Sequence, residues 1–398
     1  MYVRSLEVTN FRNLRRASIE LPDGPVVILG DNGQGKTNLL EAVELLATAK
    51  SSRAGSDREM VNWAALGSDP GSLAEPFARV RATVVREGRE LRAEVLVRDT
   101  GNAGEGELPS VAKTFRVNGV SKRALEFVGA INVVAFSPLD VALVDGPPSG
   151  RRRYLDVMNA QVSSKYLYAL QRYQKVLFQR NHLLRQIRAR SGEDVSLAVW
   201  SEQLLGEGAF LVLERARSIA ELTPLADRWF HELAGGGQLE ISYRPALGMS
   251  GDIVRELAEY GESDLFRVRE AFRSELDRVR PREAAAGMSL AGPHRDDLRF
   301  LLDGVDLSVY GSRGQQRLGA LALKLAEADH LEQGARSRPI LLMDDVLSEL
   351  DRKRQLAVLR FAARGGQTLL TTTSLGVIDQ EILGEAPVLE VTAGQVGG

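Results

Sequence analysis

Apolar and polar positions divide the chain into three stretches of different period. Met1-Tyr2-Val3-Arg4-Ser5-Leu6-Glu7-Val8 alternates as a strand does, and Val26-Val27-Ile28-Leu29 is a short unbroken apolar run, the pattern of a strand buried on both faces. That run enters a glycine-rich stretch at Gly30, after which Leu39, Leu40, Val43, Leu46 and Ala47 recur at helical spacing. Ala78 to Val85 and Leu91 to Val97 flank Arg86-Glu87-Gly88-Arg89, which predicts a hairpin. Asn118-Gly119, inside Phe115 to Val120, predicts a second tight turn. Hairpins beside a buried strand predict a mixed sheet. Residues 50–76 and 99–110 are rich in Gly, Ser, Pro and Asp and read as mobile loops.

From about residue 146 the period becomes helical. Tyr166, Leu170, Tyr173, Leu177, Leu184 and Ile187 keep a 4-3 spacing, a heptad seam that Arg180 interrupts at one position. Ser191-Gly192-Glu193-Asp194 breaks the seam and offers a new N-cap, and Trp200, Leu204, Leu211, Val212, Ile219 and Leu222 carry a second long helix. Two long helices around a short break predict a helical hairpin, as a projecting arm or an ordinary helical lobe. Leu265, Val268, Phe272, Leu276 and Val279 mark a third helix, expected to stop before Pro281. Beyond about residue 290, Arg299 to Gly304 reads as a strand entering a turn, Gly319 to Leu331 as a helix, and Pro339 to Asp345 as a buried strand. The expected organisation is an α/β head formed by residues 1–145 and 291–398, with a helical lobe at 146–290 between its halves.

Bulk properties narrow the chemistry. A chain of 398 residues holds two or three domain-sized pieces. Its 51 basic and 53 acidic residues leave a net charge of −2, so contact with nucleic acid requires a local basic patch. Without cysteine there is no disulfide, thiolate metal site or catalytic thiol. The opening residues lack a signal-peptide pattern, and no apolar stretch is long enough to span a bilayer, so no membrane association is expected.

Gly30-Asp31-Asn32-Gly33-Gln34-Gly35-Lys36-Thr37 matches G-x-x-x-x-G-K-[ST] in full, between a buried strand and an amphipathic helix. Glycines let the backbone close around phosphate, and the amides and helix N-terminus that follow favour negative charge. In that setting Lys36 reaches the β- and γ-phosphates of ATP and Thr37 ligates Mg²⁺. Ile340-Leu341-Leu342-Met343-Asp344-Asp345 is the expected second half: a buried strand delivers Asp344 to the metal and Asp345 to the attacking water. Between them, Ser312, Gly314 and Gln315 in Ser312-Arg313-Gly314-Gln315-Gln316-Arg317 open a helix and form a second phosphate-type site. One nucleotide does not need two such sites in one chain, so the second is expected to complete the pocket of another subunit. A plain N-cap by Ser312 is the simpler alternative.

Arg151 to Arg190 holds ten Lys or Arg against one acid, Asp156, with Tyr154, Tyr166, Tyr168 and Tyr173 interleaved. A run of that kind suits a phosphate backbone and base stacking, and Arg151, Arg152, Arg153, Lys165, Arg172 and Lys175 are the candidate DNA contacts. A solvated helix face is the alternative. His294, in Gly292-Pro293-His294-Arg295-Asp296-Asp297, is read either as a sensor at the head surface or as a cap on a neighbour.

The order strand, phosphate loop, helical insertion, S-x-G-Q, Asp-Asp strand and Ser348-Glu349-Leu350-Asp351 resembles the heads of ABC/SMC ATPases. Ser312 to Gln315 looks like their signature motif, Ser348 to Asp351 like their D-loop, and Thr371-Thr372-Thr373 lies at their switch, without the usual histidine. Further segments resemble the RecF family in particular: Asn10-Phe11-Arg12-Asn13-Leu14, Phe136-Ser137-Pro138-Leu139-Asp140, Arg151 to Asp156 and Gly292 to Leu298. The resemblance implies a cytoplasmic protein that dimerises on ATP and binds single- and double-stranded DNA near gaps. It also implies work with RecO- and RecR-type partners in recombinational repair, replication restart and the SOS response. Asp345 is one methylene shorter than the glutamate usual in ABC proteins, so slow hydrolysis is expected. A non-hydrolysing ATP-dependent clamp and an ABC-type subunit of a non-DNA complex are the alternatives.

Overall fold

A computed structural model of the chain describes residues 1–66, 76–99, 111–190, 196–249, 257, 261–335 and 337–397. The chain begins with β1 (Tyr2–Phe11), β2 (Leu14–Glu20), β3 (Pro25–Leu29) and α1 (Lys36–Thr48). It continues through β4 (Phe77–Arg86), β5 (Arg89–Asp99), β6 (Val111–Val117), β7 (Val120–Lys122) and β8 (Val133–Phe136). Long helices follow: α2 (Pro148–Val162), α3 (Ser164–Arg190) and α4 (Ser196–Ala234), then β9 (Leu239–Arg244) and α5 (Glu262–Ala286). The remainder is β10 (Asp297–Leu302), β11 (Val305–Asp306), α6 (Arg313–Ala335), β12 (Ile340–Asp344), α7 (Arg352–Ala362), β13 (Thr368–Thr372), β14 (Val388–Thr392) and β15 (Gln395–Gly397). These elements gather into two compact units, residues 1–139 with 331–398, and residues 140–330. The second unit therefore takes in residues 291–330, which the sequence pattern grouped with the head.

Among the described residues the first unit has two sheets, and the expected mixed sheet is one of them. The hairpins form an antiparallel sheet in the order β2-β1-β4-β5-β6-β7. The apolar runs form another, β15-β14-β3-β13-β12-β8, parallel except for β15 at its edge. Period separates them: β4 alternates between buried and half-buried positions, whereas β12 and β13 are buried throughout. Helix α1 packs on strands of both sheets. Its Leu39, Val43 and Leu46 share one core with Leu6, Val80 and Val95 of the antiparallel sheet and Ile28, Ile340 and Leu369 of the parallel one. Glu87-Gly88 and Asn118-Gly119 form the expected tight turns, each pair at positive φ. Gln367, fully buried, bonds both backbone groups of Val3 and the carbonyl of Pro22, fastening the first strand beside β13.

In the second unit, α3, α4 and α5 pack together. Tyr166, Tyr173 and Leu184 of the predicted seam are buried. Arg180, which interrupts the seam, is buried with them and pairs with the fully buried Glu283 at 2.6 Å while donating to Ser289 and Ser201. The third helix does not stop at Pro281 but runs on to Ala286. The turn beyond the proline carries Glu283, whose carboxylate also accepts from Leu290 N–H, and this anchoring offsets the amide bond that proline removes. The proposed break at Ser191 to Asp194 and the loops at 67–75 and 100–110 lie outside the described residues. Residues 50–66, read as part of a loop, include the short helical turns Asp57–Met60 and Trp63–Leu66. Strands β9, β10 and β11 make a small antiparallel sheet. Among the described residues no helix is long and apolar enough to cross a membrane.

Candidate nucleotide site

The glycine-rich loop leaves β3 and ends at the first turn of α1. Gly33 and Gly35 sit at φ +80° and +118°, where an L side chain is strained. Close approach excludes a Cβ as well: one at Gly30 would lie 2.4 Å from Val391 O, and one at Gly35 2.8 Å from Asn13 Oδ1. The loop is braced from two sides. Asn13, in the β1–β2 turn, donates to Gln34 O and accepts from Asn38 Nδ2. From the β14–β15 turn, Ala393 N–H donates to Gln34 Oε1 at 2.6 Å and Gly394 N–H to Gln34 O at 2.9 Å. Asn10-Phe11-Arg12-Asn13-Leu14 is thereby placed as the loop's support, with Arg12 clamping the buried Glu41 of α1. Sequence reasoning found that segment by resemblance alone, since nothing in its pattern says what it touches.

Lys36 is buried, with Nζ donating to the carbonyls of Gly30 at 2.6 Å and Asp31 at 2.9 Å. Its ammonium is held inside the loop with a third proton to give. Thr37 Oγ1 lies 2.9 and 3.0 Å from the two carboxylate oxygens of Asp344, a residue 307 positions away. Asp344 ends β12, a buried strand, and also accepts from Thr371 Oγ1 at 2.9 Å and from Arg53 Nη2 at 2.7 Å. Asp345, next in the chain, sits at φ +51°, with its N–H donating to Thr371 Oγ1. A backbone curled around a point of concentrated N–H and ammonium charge fits a phosphate chain, and a hydroxyl beside a carboxylate fits a hard divalent cation. Arg53 was not singled out from sequence: its partner is 291 residues downstream and its own loop shows no motif.

Ser312 to Gln315 are exposed at the start of α6. Ser312 Oγ accepts from Gln315 N–H at 3.2 Å, while Gln315 Oε1 accepts from Ser312 N–H at 2.9 Å, a reciprocal cap. The capping alternative therefore holds in this chain, and the exposed helix start remains open to a partner. Asp351 caps α7 by accepting from Arg354 N–H at 3.0 Å.

The basic run divides. Arg151 is buried and forms a bidentate pair with Asp297, at 2.6 and 3.1 Å, so its charge is committed to the interior. This corrects its assignment as a DNA contact. Arg152 is half-buried, donates to Asp296 O, and has its pKa lowered by burial and by Arg215. Tyr166 and Tyr173 are buried and unavailable for stacking. Arg153, Lys165, Arg172 and Lys175 are exposed. Lys165 stands 4.7 Å over the Phe210 ring, and Arg172 pairs with Glu207.

His294 lies against α3, with Nδ1 2.6 Å from Tyr173 Oη and Nε2 3.2 Å from Ser289 O. A carbonyl can only accept, so Nε2 carries the hydrogen and Nδ1 accepts from the tyrosine, which is the neutral ring. Burial lowers its pKa from 6.5 to about 4. The unfolded chain takes up this proton first, so stability is lost as pH falls from 6.5 towards 4. Thermal unfolding should show the advantage of wild type over His294→Gln shrinking between pH 7.5 and pH 5. An advantage unchanged over that range would mean that the fold does not shift the ring's titration, and one that grew towards pH 5 would mean that the ring is charged in the fold.

A phosphate loop between a buried parallel strand and its helix, facing an aspartate at the end of another strand of that sheet, defines a P-loop nucleotide-binding head of the ABC/SMC type. The family model for the RecF/RecN/SMC N terminal domain matches residues 2–381. DNA replication and repair protein RecF of Chloroflexus aggregans is 41% identical, the alignment covering 100% of this chain and 99% of that protein. RecF of Bacillus subtilis is 36% identical over 99% of each. A solved structure of the recombination mediator protein RecF with ATP in the RecFOR pathway superposes with a TM-score of 0.84 at 30% identity, covering 100% of this chain and 97% of that one. The chain belongs to the RecF family of DNA replication and repair proteins.

Proposed function

We propose that this protein is an ATP-dependent DNA-binding protein of recombinational repair that closes as a homodimer around nucleotide. The observation carrying this reading is the meeting of Thr37 and Asp344, at 2.9 Å, beside the curled loop that holds Lys36. Lys36 and the amides of residues 30–37 bind the phosphates, and Thr37 and Asp344 hold Mg²⁺. Bound Mg²⁺–ATP supplies the labile phosphoanhydride and the charge that draws a second subunit in. Ser312, Gly314 and Gln315 of that second copy complete the pocket. Asp345 orients the attacking water from a side chain one methylene shorter than the usual glutamate, so hydrolysis is slow and ends the closed state. Arg153, Lys165, Arg172 and Lys175 contact the DNA backbone. That a solved RecF is described in the RecFOR pathway supports RecO- and RecR-type partners; a cytoplasmic setting and a part in replication restart and the SOS response are inferred from membership of the family.

Mass in solution tests the reading. Light scattering with Mg²⁺–ATP and gapped DNA should show monomer becoming dimer for wild type. Ser312→Arg should stay monomeric while still binding ATP. DNA affinity should rise with dimerisation and fall steeply with salt. ATP binding with no change of mass under any condition would end the two-subunit mechanism. Asp345→Asn should lower ATP turnover by about a hundredfold, as loss of a general base does, and leave the dimer long-lived. Unchanged turnover would remove Asp345 from the chemistry.

A further inference from the structure

Arg53 lies on the carboxylate that the proposed function assigns to the metal. Its Nη2 is 2.7 Å from Asp344 Oδ2, and the same nitrogen is 3.4 Å from Ser137 Oγ. The pair is sheltered, with side-chain exposures of 31% for Arg53 and 12% for Asp344. The loop bearing Arg53 is held in place. Ser51 is buried, donates to Glu41 of α1, and accepts from the N–H groups of Arg53 at 3.0 Å and Ala54 at 2.8 Å. Glu41 is fixed in turn by Arg12. A guanidinium carried this way is a built part of the site.

Asp344 has few directions left to offer. Thr37 and Thr371 both lie within 2.9 Å of Oδ1, and Arg53 takes Oδ2. A magnesium ion demands a near-octahedral shell at about 2.0–2.1 Å and keeps several waters. Such a shell between Thr37 and Asp344 needs the space and the lone pairs that Arg53 now uses, and two cations on one carboxylate repel. We propose that Arg53 is a resident counter-cation that competes with the divalent ion for Asp344, holding the carboxylate in place until the metal displaces the guanidinium. Arg53 is then a positioning residue. It lowers the affinity of the nucleotide-free protein for the metal alone, so that metal arrives with nucleotide in preference to arriving by itself.

This inference rests on Thr37 and Asp344 as the metal ligands, and one experiment separates the two ideas. The full-length, nucleotide-free protein is titrated with Mn²⁺, free ion being read by electron paramagnetic resonance, for wild type, Arg53→Gln, Arg53→Lys and Asp344→Asn. Arg53→Gln should bind Mn²⁺ about tenfold more tightly, as removal of an intramolecular competitor requires. Arg53→Lys should stay nearer wild type, and Asp344→Asn should lose the site. Loss in Asp344→Asn without a gain in Arg53→Gln overturns the role of Arg53 alone, whereas a site intact in Asp344→Asn overturns the metal assignment beneath it. Should Arg53→Gln fold poorly, wild type answers the question through phenylglyoxal modification mapped by peptide mass. Arg53 should react several-fold faster at saturating Mg²⁺, and a rate unchanged by Mg²⁺ overturns the competition.

Discussion

Lys36→Met should abolish nucleotide binding at working concentrations while leaving the fold intact. The ammonium makes charge-assisted hydrogen bonds, and each such bond to phosphate contributes about 1.5–3 kcal/mol. As the ammonium turns from the carbonyls of Gly30 and Asp31 to the phosphates it makes two of them, and losing both weakens the dissociation constant by about a hundredfold or more. The folded chain should tolerate the change, because methionine fills a similar volume and brings no charge into a buried position. The carbonyls that lose a donor, those of Gly30 and Asp31, belong to residues with access to water. Isothermal titration with Mg²⁺–ATP beside thermal unfolding tests both halves. Affinity within a few-fold of wild type would mean that the loop is a structural turn. A large fall in melting temperature would mean that the lysine mainly supports the loop.

The second large effect lies in the helical unit. Arg215, 2% exposed, donates to Asp156 at 2.8 Å, Asp296 at 3.0 Å, Tyr166 Oη at 3.0 Å and Pro293 O at 2.7 Å. Burial opposes its charge, but the surrounding tyrosines and carboxylates outweigh that and hold its pKa well above the ordinary arginine value. Arg215→Met leaves Asp296 buried with Tyr243 and Ala246 N–H and without the guanidinium that bonds its carboxylate. Stranding a buried charge in this way costs about 3–5 kcal/mol, a large share of a domain's stability. Burial already raises the pKa of Asp296 against the pull of Arg215, and loss of that cation raises it further. Stability tied to a raised carboxylate is fully present below its unfolded pKa and lost as pH rises through the folded one. The variant's deficit in urea unfolding should therefore be larger at pH 8 than at pH 5, and Arg215→Met with Asp296→Asn should recover part of it. A deficit that is equal at both pH values would show that packing, not charge, is lost.

Contiguous features were legible in the sequence and distant ones were not. The phosphate loop, β3 and α1 are consecutive, so motif and period together fixed them. Asp344 was found because a wholly buried strand delivers it. Arg53 escaped notice because its meaning comes from a strand laid down far later. Alternation alone could not say whether the hairpins joined the parallel strands or formed their own sheet, because both arrangements bury every second residue. The seam residues Tyr166 and Tyr173 were read both as helix core and as base-stacking aromatics, and burial decides for the core. Arg151 shows the same ambiguity for charge. A basic run reads as a surface patch until one member finds an acid such as Asp297, 146 residues away.

The strand order also governs when the protein can form during synthesis. β3, which carries the phosphate loop, has β13 on one side and β14 on the other. Those neighbours are made some 340 residues later, so β3 has no ladder to join while the ribosome works through the helical unit. At about 5–20 residues per second that interval lasts roughly 20–70 s. The antiparallel hairpins and the helices have sequence-local partners and can fold meanwhile, whereas the nucleotide loop must wait for the last tenth of the chain. Loops closed over such a distance form slowly. Any stop before β13 therefore yields a chain with much of its secondary structure and no site for ATP, which leaves nucleotide binding as the property acquired last in biogenesis.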